Sequence, residues 1–275
     1  MTARRALVLL LACLPAAPGA GIELFPVGDP YPRSLADPHA AANSVRVVRF
    51  HDIEIEDSGK PRFLLQAGGR FPVLGGERGL AGGDVWRLSI EAGLDGVFDI
   101  DRSYDAIGWD GNYGLVASAG LGRGAAKLGI LHTSSHVGDE YAERTGRRRL
   151  DYTRQEVLAA LSWPLPRGLR LYGEAGWGSD LRSEAVQDPW RGQAGVEWQS
   201  GVRWRDRFGL YGALDLQAME ERDWELEVSL QIGVIAMSGD RRWRVGVEYL
   251  DGRPPLGEFY QARERGVGIG LWVDV

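Results

Sequence analysis

The residues best suited to chemistry fall in one stretch, His132-Thr133-Ser134-Ser135-His136. A histidine and a serine two apart on an extended chain point to the same side. His132 could then act as base for a Ser134 nucleophile, with Glu140 or Asp139 orienting the imidazole, a combination that would hydrolyse an ester. The blander use of the same residues is at a strand end, where hydroxyls and imidazoles bind headgroups or the following loop. His136 and Asp139 are the side chains expected to do so, and this use is the default. A loose divalent site from His132, His136, Asp139 and Glu140 is a third alternative, but without thiolates no particular metal is specified.

These residues need an element that fixes their parity, and the chain supplies one. From about Arg62 onward it is a series of roughly ten-residue runs with every second residue apolar. In Trp224–Ile235, Trp224, Leu226, Val228, Leu230, Ile232 and Val234 take one face. Glu225, Glu227, Ser229, Gln231 and Gly233 take the other. Trp190–Gln199, Arg207–Gln217, Arg242–Glu248, Leu169–Trp177 and Asp84–Phe98 follow the same rule. Weaker runs are Val45–Ile55, Arg62–Phe71, Tyr113–Leu121, Ala125–Thr133 and Tyr152–Trp163. About twelve strands result. They are long for a soluble sandwich and match the ~9–11 residues that cross a bilayer obliquely. Short connections such as Gly122–Gly124 and Pro164–Gly168 alternate with long ones such as Ser134–Asp151 and Asp251–Arg263. Tryptophans sit near run ends on the apolar face, as an aromatic girdle requires. Together these features predict an all-β fold, an antiparallel transmembrane β-barrel of about 12 strands in the bacterial outer membrane, with the long loops outside. Extending the parity of Ala126, Leu128 and Ile130 turns His132, Ser134 and His136 outward and Thr133 and Ser135 into the lumen.

The composition agrees. The chain has 275 residues, 39 glycines, one cysteine and a net charge of -6. An acidic balance excludes a phosphate-binding surface for nucleic acid. A lone Cys13 excludes a disulfide framework and a thiolate zinc site. The Gly-Gly and Gly-Arg-Gly runs precede no helix, so they read as turns or smooth strand patches rather than a phosphate cradle. Residues 1–20, with Arg4 and Arg5 before a short apolar core, read as a signal peptide. Leu10–Cys13 also fits a lipoprotein box, with Cys13 then acylated. Residues 21–60 read as an extended, proline-bearing lead with one strand at most, either periplasmic or tucked into the lumen, and 61–275 as the barrel. Inside it, Arg87, Arg154, Arg170, Arg191, Arg242 and Arg244 are expected to meet Glu91, Glu156, Glu174, Glu197, Glu225, Glu227 and Glu248. Such ladders rigidify a lumen and leave at most a narrow pore.

Four stretches, Glu23–Pro38, His132–Tyr141, Ala218–Trp224 and Tyr249–Tyr260, resemble in order those of an uncharacterised bacterial outer-membrane family catalogued as domain of unknown function 1207. The resemblance implies a secreted barrel and brings no catalytic residues. His132-Thr133-Ser134 also resembles the His-x-Ser pair that outer-membrane lipid A deacylases place on their bilayer-facing wall. The leading expectation is a structural or envelope-associated barrel, or a narrow pore; the alternative is a lipid-modifying hydrolase. Expected partners are outer-membrane lipid or lipopolysaccharide and the barrel-assembly machinery, with no cofactor, metal or nucleic acid.

Overall fold

The computed structural model describes residues 21–77, 85–182, 188–201, 207–239 and 241–274. The expected signal peptide, Cys13 and the Gly82-Gly83 pair lie outside the described residues. A two-residue strand, β1 (Glu23–Leu24), precedes twelve long ones. These are β2 (Asn43–Asp52), β3 (Pro61–Gly76), β4 (Trp86–Asp99), β5 (Asp105–Leu121), β6 (Gly124–Val137) and β7 (Thr153–Pro164). They continue as β8 (Leu169–Arg182), β9 (Trp190–Gln199), β10 (Phe208–Met219), β11 (Glu227–Ser238), β12 (Arg241–Gly252) and β13 (Glu264–Asp274). One short helix, α1 (Asp139–Thr145), lies between β6 and β7.

Each strand from β2 pairs antiparallel with the next, and β13 pairs back onto β2, so the sheet closes as a barrel of twelve strands. Alternation sorts the side chains as the sequence predicts. Leu230, Ile232 and Val234 on β11 are exposed outward, while Ser229 and Gln231 are buried in the lumen. An outward apolar wall on every strand is unstable in water but suits hydrocarbon, and closure leaves no unpaired edge there. The last described residues of β13 pair with the first of β2. The adjoining end carries the short turns 122–123 and 165–168, and the opposite end carries longer loops such as 138–152 and 253–263. The turn after β7 is tight enough to require glycine. Gly168 has φ +79°, and a Cβ there would stand 2.0 Å from the Gln199 carbonyl oxygen.

Two boundaries differ from the sequence expectation, and one open alternative is decided. The barrel begins at Asn43, not at residue 61, because Val45 and Val47 face outward on a full wall strand. Of the two readings of the glycine pairs, turn or smooth strand patch, Gly68-Gly69 and Gly75-Gly76 take the second and lie within β3. At Gly68 a Cβ would come within 2.5 Å of the Ala92 carbonyl oxygen, so the glycine permits close strand approach. β11 starts at Glu227, which leaves Glu225 in a loop and outside the lumen ladder.

The lumen is filled from both ends. From the turn end the lead threads inside, with its backbone satisfied by wall side chains. Arg87 donates to the Gly28 carbonyl (3.2 Å), Arg170 to the Pro32 and Arg33 carbonyls (3.2 and 2.8 Å), and Gln66 to the Pro38 carbonyl (2.9 Å). The Leu35 N–H donates to the Glu197 carboxylate at 2.7 Å. At the loop end the inward positions turn apolar. Val48, Phe50, Leu64, Val97, Ile107 and Val137 form a core with Leu256 and Phe259 of the 253–263 loop. A cavity of about 140 Å³ is left between plug and cap, lined by charged side chains including Lys127, Arg154 and Asp95.

Candidate functional site on the outer wall

β6 alternates around its small and apolar residues, and this fixes the two faces of the His132–His136 stretch. Lys127 and Ser135 are buried inside, while Leu128 is exposed outside. His132, Ser134 and His136 therefore share the outer face, two residues or ~6.6 Å apart along the strand. The inward residues between them are tied down. Thr133 donates to Asn112 at 2.7 Å, and Asn112 donates to Asp95 at 3.1 Å. Ser135 donates to Asp110 and accepts the Glu258 N–H at 2.8 Å.

The neighbouring strand β5 shapes the surface. His136 stands opposite Trp109 and stacks on its ring, with centroids 4.2 Å apart. His132 stands opposite Tyr113, with ring centroids 4.7 Å apart. Between them Ser134 stands opposite Gly111. A Cβ at Gly111 would lie 3.5 Å from Ser134 Oγ and 3.4 Å from the Trp109 ring. The glycine therefore opens a notch over the hydroxyl, walled by two aromatic–imidazole stacks. On the other side, β7 places Gln155 opposite His132 and Thr153 opposite Ser134. Gln155 is half-buried on the outer face, since Arg154 and Glu156 beside it point into the lumen.

The structure brings His132, Ser134 and His136 to one surface and separates them from the two acids. Asp139 and Glu140 lie in α1, beyond the end of β6. Asp139 pairs with Arg149 at 2.5 Å. From His132 to the strand end at Val137 is ~16 Å, so neither acid reaches the imidazole. Among the described residues no group of three or more His, Cys, Asp or Glu is placed to hold a metal ion. The residue that the sequence reading missed is Gln155. It lies 23 positions from His132 in the chain, and only strand register makes them neighbours.

Two of the family-like stretches meet at the cap. Ser135 and Tyr141 come from one, and Gly257, Glu258 and Phe259 from the end of the other. The Gly257 N–H donates to Asp110 at 3.0 Å, and the Glu258 carboxylate accepts the Leu150 N–H at 2.8 Å. The Tyr141 and Phe259 rings meet edge to face at 5.6 Å. A third stretch contributes Arg222, which donates to the Ala262 carbonyl at 3.0 Å. The fourth is the plug itself.

Twelve closed strands, an apolar outer wall and aromatic residues near the strand ends define an outer-membrane β-barrel. The family model described as "Protein of unknown function (DUF1207)" matches residues 20–274, and the chain belongs to that family. The fold is similar to outer membrane phospholipase A from Escherichia coli, with TM-score 0.59, 12% identity, and coverage of 87% of this chain and 92% of that one. It is likewise similar to the calcium-bound dimer of outer membrane phospholipase from Salmonella typhi, with TM-score 0.59, 11% identity, and coverage of 90% and 94%. No curated protein matches the sequence.

Proposed function

We propose that this protein hydrolyses acyl esters of membrane lipids at a site on the outside of a sealed barrel. The observation that carries the reading is the row across three strands: Ser134 under the Gly111 notch, His132 beside it, and Gln155 registered opposite His132. The site's depth supports it. Ser134 is one outward position inside the Trp109–His136 stack, which belongs to the aromatic belt at the loop end. Belts of this kind sit at headgroup level, so the hydroxyl lies near the ester carbonyls just beneath. With the loops facing outside, the substrate is a lipid of the outer leaflet.

The chemistry is acyl transfer in two halves. Ser134 Oγ attacks the ester carbonyl as His132 takes its proton. The tetrahedral adduct collapses, the C–O bond to the glycerol or sugar breaks, and His132 returns the proton to that oxygen. Water then gives a proton to His132, attacks the acyl-serine, and releases a fatty acid with Ser134 restored. The Gln155 carboxamide oxygen accepts the remaining imidazole N–H and holds the ring toward Ser134. The plug and cap argue against conduction and hold the wall rigid behind the site. The phospholipase named above shares this fold, and at 12% identity its activity is an analogy from fold.

The test is lipid mass spectrometry of membranes from cells expressing wild type, His132→Ala or Ser134→Ala. Wild type alone should raise lyso-lipid and free fatty acid. Identical lipid profiles in all three favour the second reading, a purely structural envelope barrel. The observation behind that reading is that all four family-like stretches contribute to the plug and the cap region.

A further inference from the structure

Among the described residues, the most exposed apolar segment has no part in the site. Ile22, Leu24, Phe25 and Val27 are 72%, 67%, 74% and 93% exposed. Their position is set by β1, which hydrogen-bonds to the turn-end extension of β3. There Leu24 pairs with Leu74, and Leu74 pairs with Leu88 of β4. The neighbouring outward row, Gly76 with Trp86, lies closer to the turn end. Trp86 belongs to the turn-side aromatic belt, so Leu24 lies on the hydrocarbon side of that belt. The three leucines form one row of the outer wall. A Cβ on Gly76 would lie 3.3 Å from the Gly21 carbonyl oxygen, which places Gly21 at the level of the belt.

The chain then changes sides. Phe25 has φ +53° and donates its N–H to the Val73 carbonyl at 3.1 Å. Pro26 is buried, and its ring stands 2.8 Å from where a Gly75 Cβ would be. From there the lead enters the lumen, held by Arg87 and Arg70. β2 pairs with β3 only as far as Gln66, and β1 resumes the edge at Leu74, which leaves a gap in the wall for this crossing.

From this placement we propose that Ile22, Leu24 and Phe25 insert among the acyl chains of the turn-side leaflet, so that the lumen plug is anchored in lipid at its leading edge. The occupant follows from continuity. The row containing Leu24 is the same row of the wall that Leu74 and Leu88 present to hydrocarbon, and a contiguous exposed apolar patch marks a contact surface, here continuous with the lipid-facing wall. The anchor makes the plug a fixed part of the barrel, because withdrawing it requires pulling these side chains through the belt into water.

The test uses the full chain in phospholipid vesicles, in a Cys13→Ser background, with a nitroxide on Leu24→Cys or Phe25→Cys. Ile269→Cys marks the mid-wall and Arg167→Cys a water-facing turn. Heat-modifiable migration selects folded samples, and Ile22→Cys replaces either position if its variant does not fold. The expected result is an oxygen-to-nickel accessibility ratio matching Ile269 and several-fold above Arg167. A ratio matching Arg167 would place the segment in water and overturn the proposal. A label shielded from both reagents would mean a protein covers the segment, which also overturns it.

Discussion

Ser134 on β6 is registered directly opposite Gly111 on β5, so its β5 partner offers no side chain against the outward hydroxyl that lies between two aromatic–imidazole pairs. If that notch admits an ester carbonyl, filling it should stop turnover while leaving the fold intact. Gly111→Val adds an isopropyl group on the outer face, whose Cβ would stand at ordinary contact distance from the Trp109 ring and Ser134 Oγ. Fatty-acid release should fall on the order of tenfold or more, with heat-modifiable migration unchanged. Equal turnover would remove Gly111 from the site.

Gln155 acts through His132, so its replacement should change rate more than binding. Gln155→Ala should lower kcat on the order of 10²-fold, with KM within a few-fold of wild type, and Gln155→Asn should recover part of the loss. A change confined to KM would identify Gln155 as a lipid contact instead.

The plug depends on Glu197, which is nearly inaccessible and accepts from both Leu35 and Arg170. Glu197→Ala strands the Arg170 guanidinium and the Leu35 N–H. A loss of about 3–5 kcal/mol is expected, the cost of breaking a buried pair from one side. Urea unfolding of the detergent-solubilised barrel measures it. Faster proteolysis of the lead should accompany it.

His39 gives the plug a pH dependence. Burial first, and then Arg253, Arg191 and Arg46, hold its imidazole well below the ordinary value of 6.5. Its Nε2 is buried without a hydrogen-bond partner. A depressed histidine is stable neutral, so the seated lead keeps its full stability above 6.5 and loses it as pH falls below that value. Hydrogen-exchange protection of residues 29–41, corrected for the intrinsic exchange rate, should therefore fall in acid for wild type and stay flat for His39→Gln. Equal acid sensitivity in the two proteins would assign the effect to other groups.

The wall was legible in the sequence, and so were lumen pairs such as Arg170–Glu197 and Arg191–Glu174, whereas the seating of the lead and the apolar cap were not. Trp190–Gln199 reads as a strand with the observed bounds because its apolar residues alternate without a break. β5 begins well before Tyr113 because Asp105 and Ala106 pair with β4 and Gly108–Asn112 pairs with both neighbours, although its glycines and aspartates resemble a loop. The prolines of the lead announce extended chain, but its destination depends on Arg170, Gln66 and Glu197, which are distant in sequence. Val48 and Phe50 break the polar-inside rule because they meet Phe259 of the cap, a contact that no local pattern encodes. The outward parity of His132 and Ser134 was legible for the same reason as the wall. Gln155 was not, because register is a property of strand pairs.

The account rests most heavily on chemistry at the outer face of β6. The most direct measurement is fatty-acid release from phospholipid or lipopolysaccharide vesicles by purified, refolded wild type and Ser134→Ala, matched for heat-modifiable migration. The account predicts steady release by wild type and release at the protein-free rate by the variant. Equal release by both, or none by a wild type that is fully folded, would contradict it.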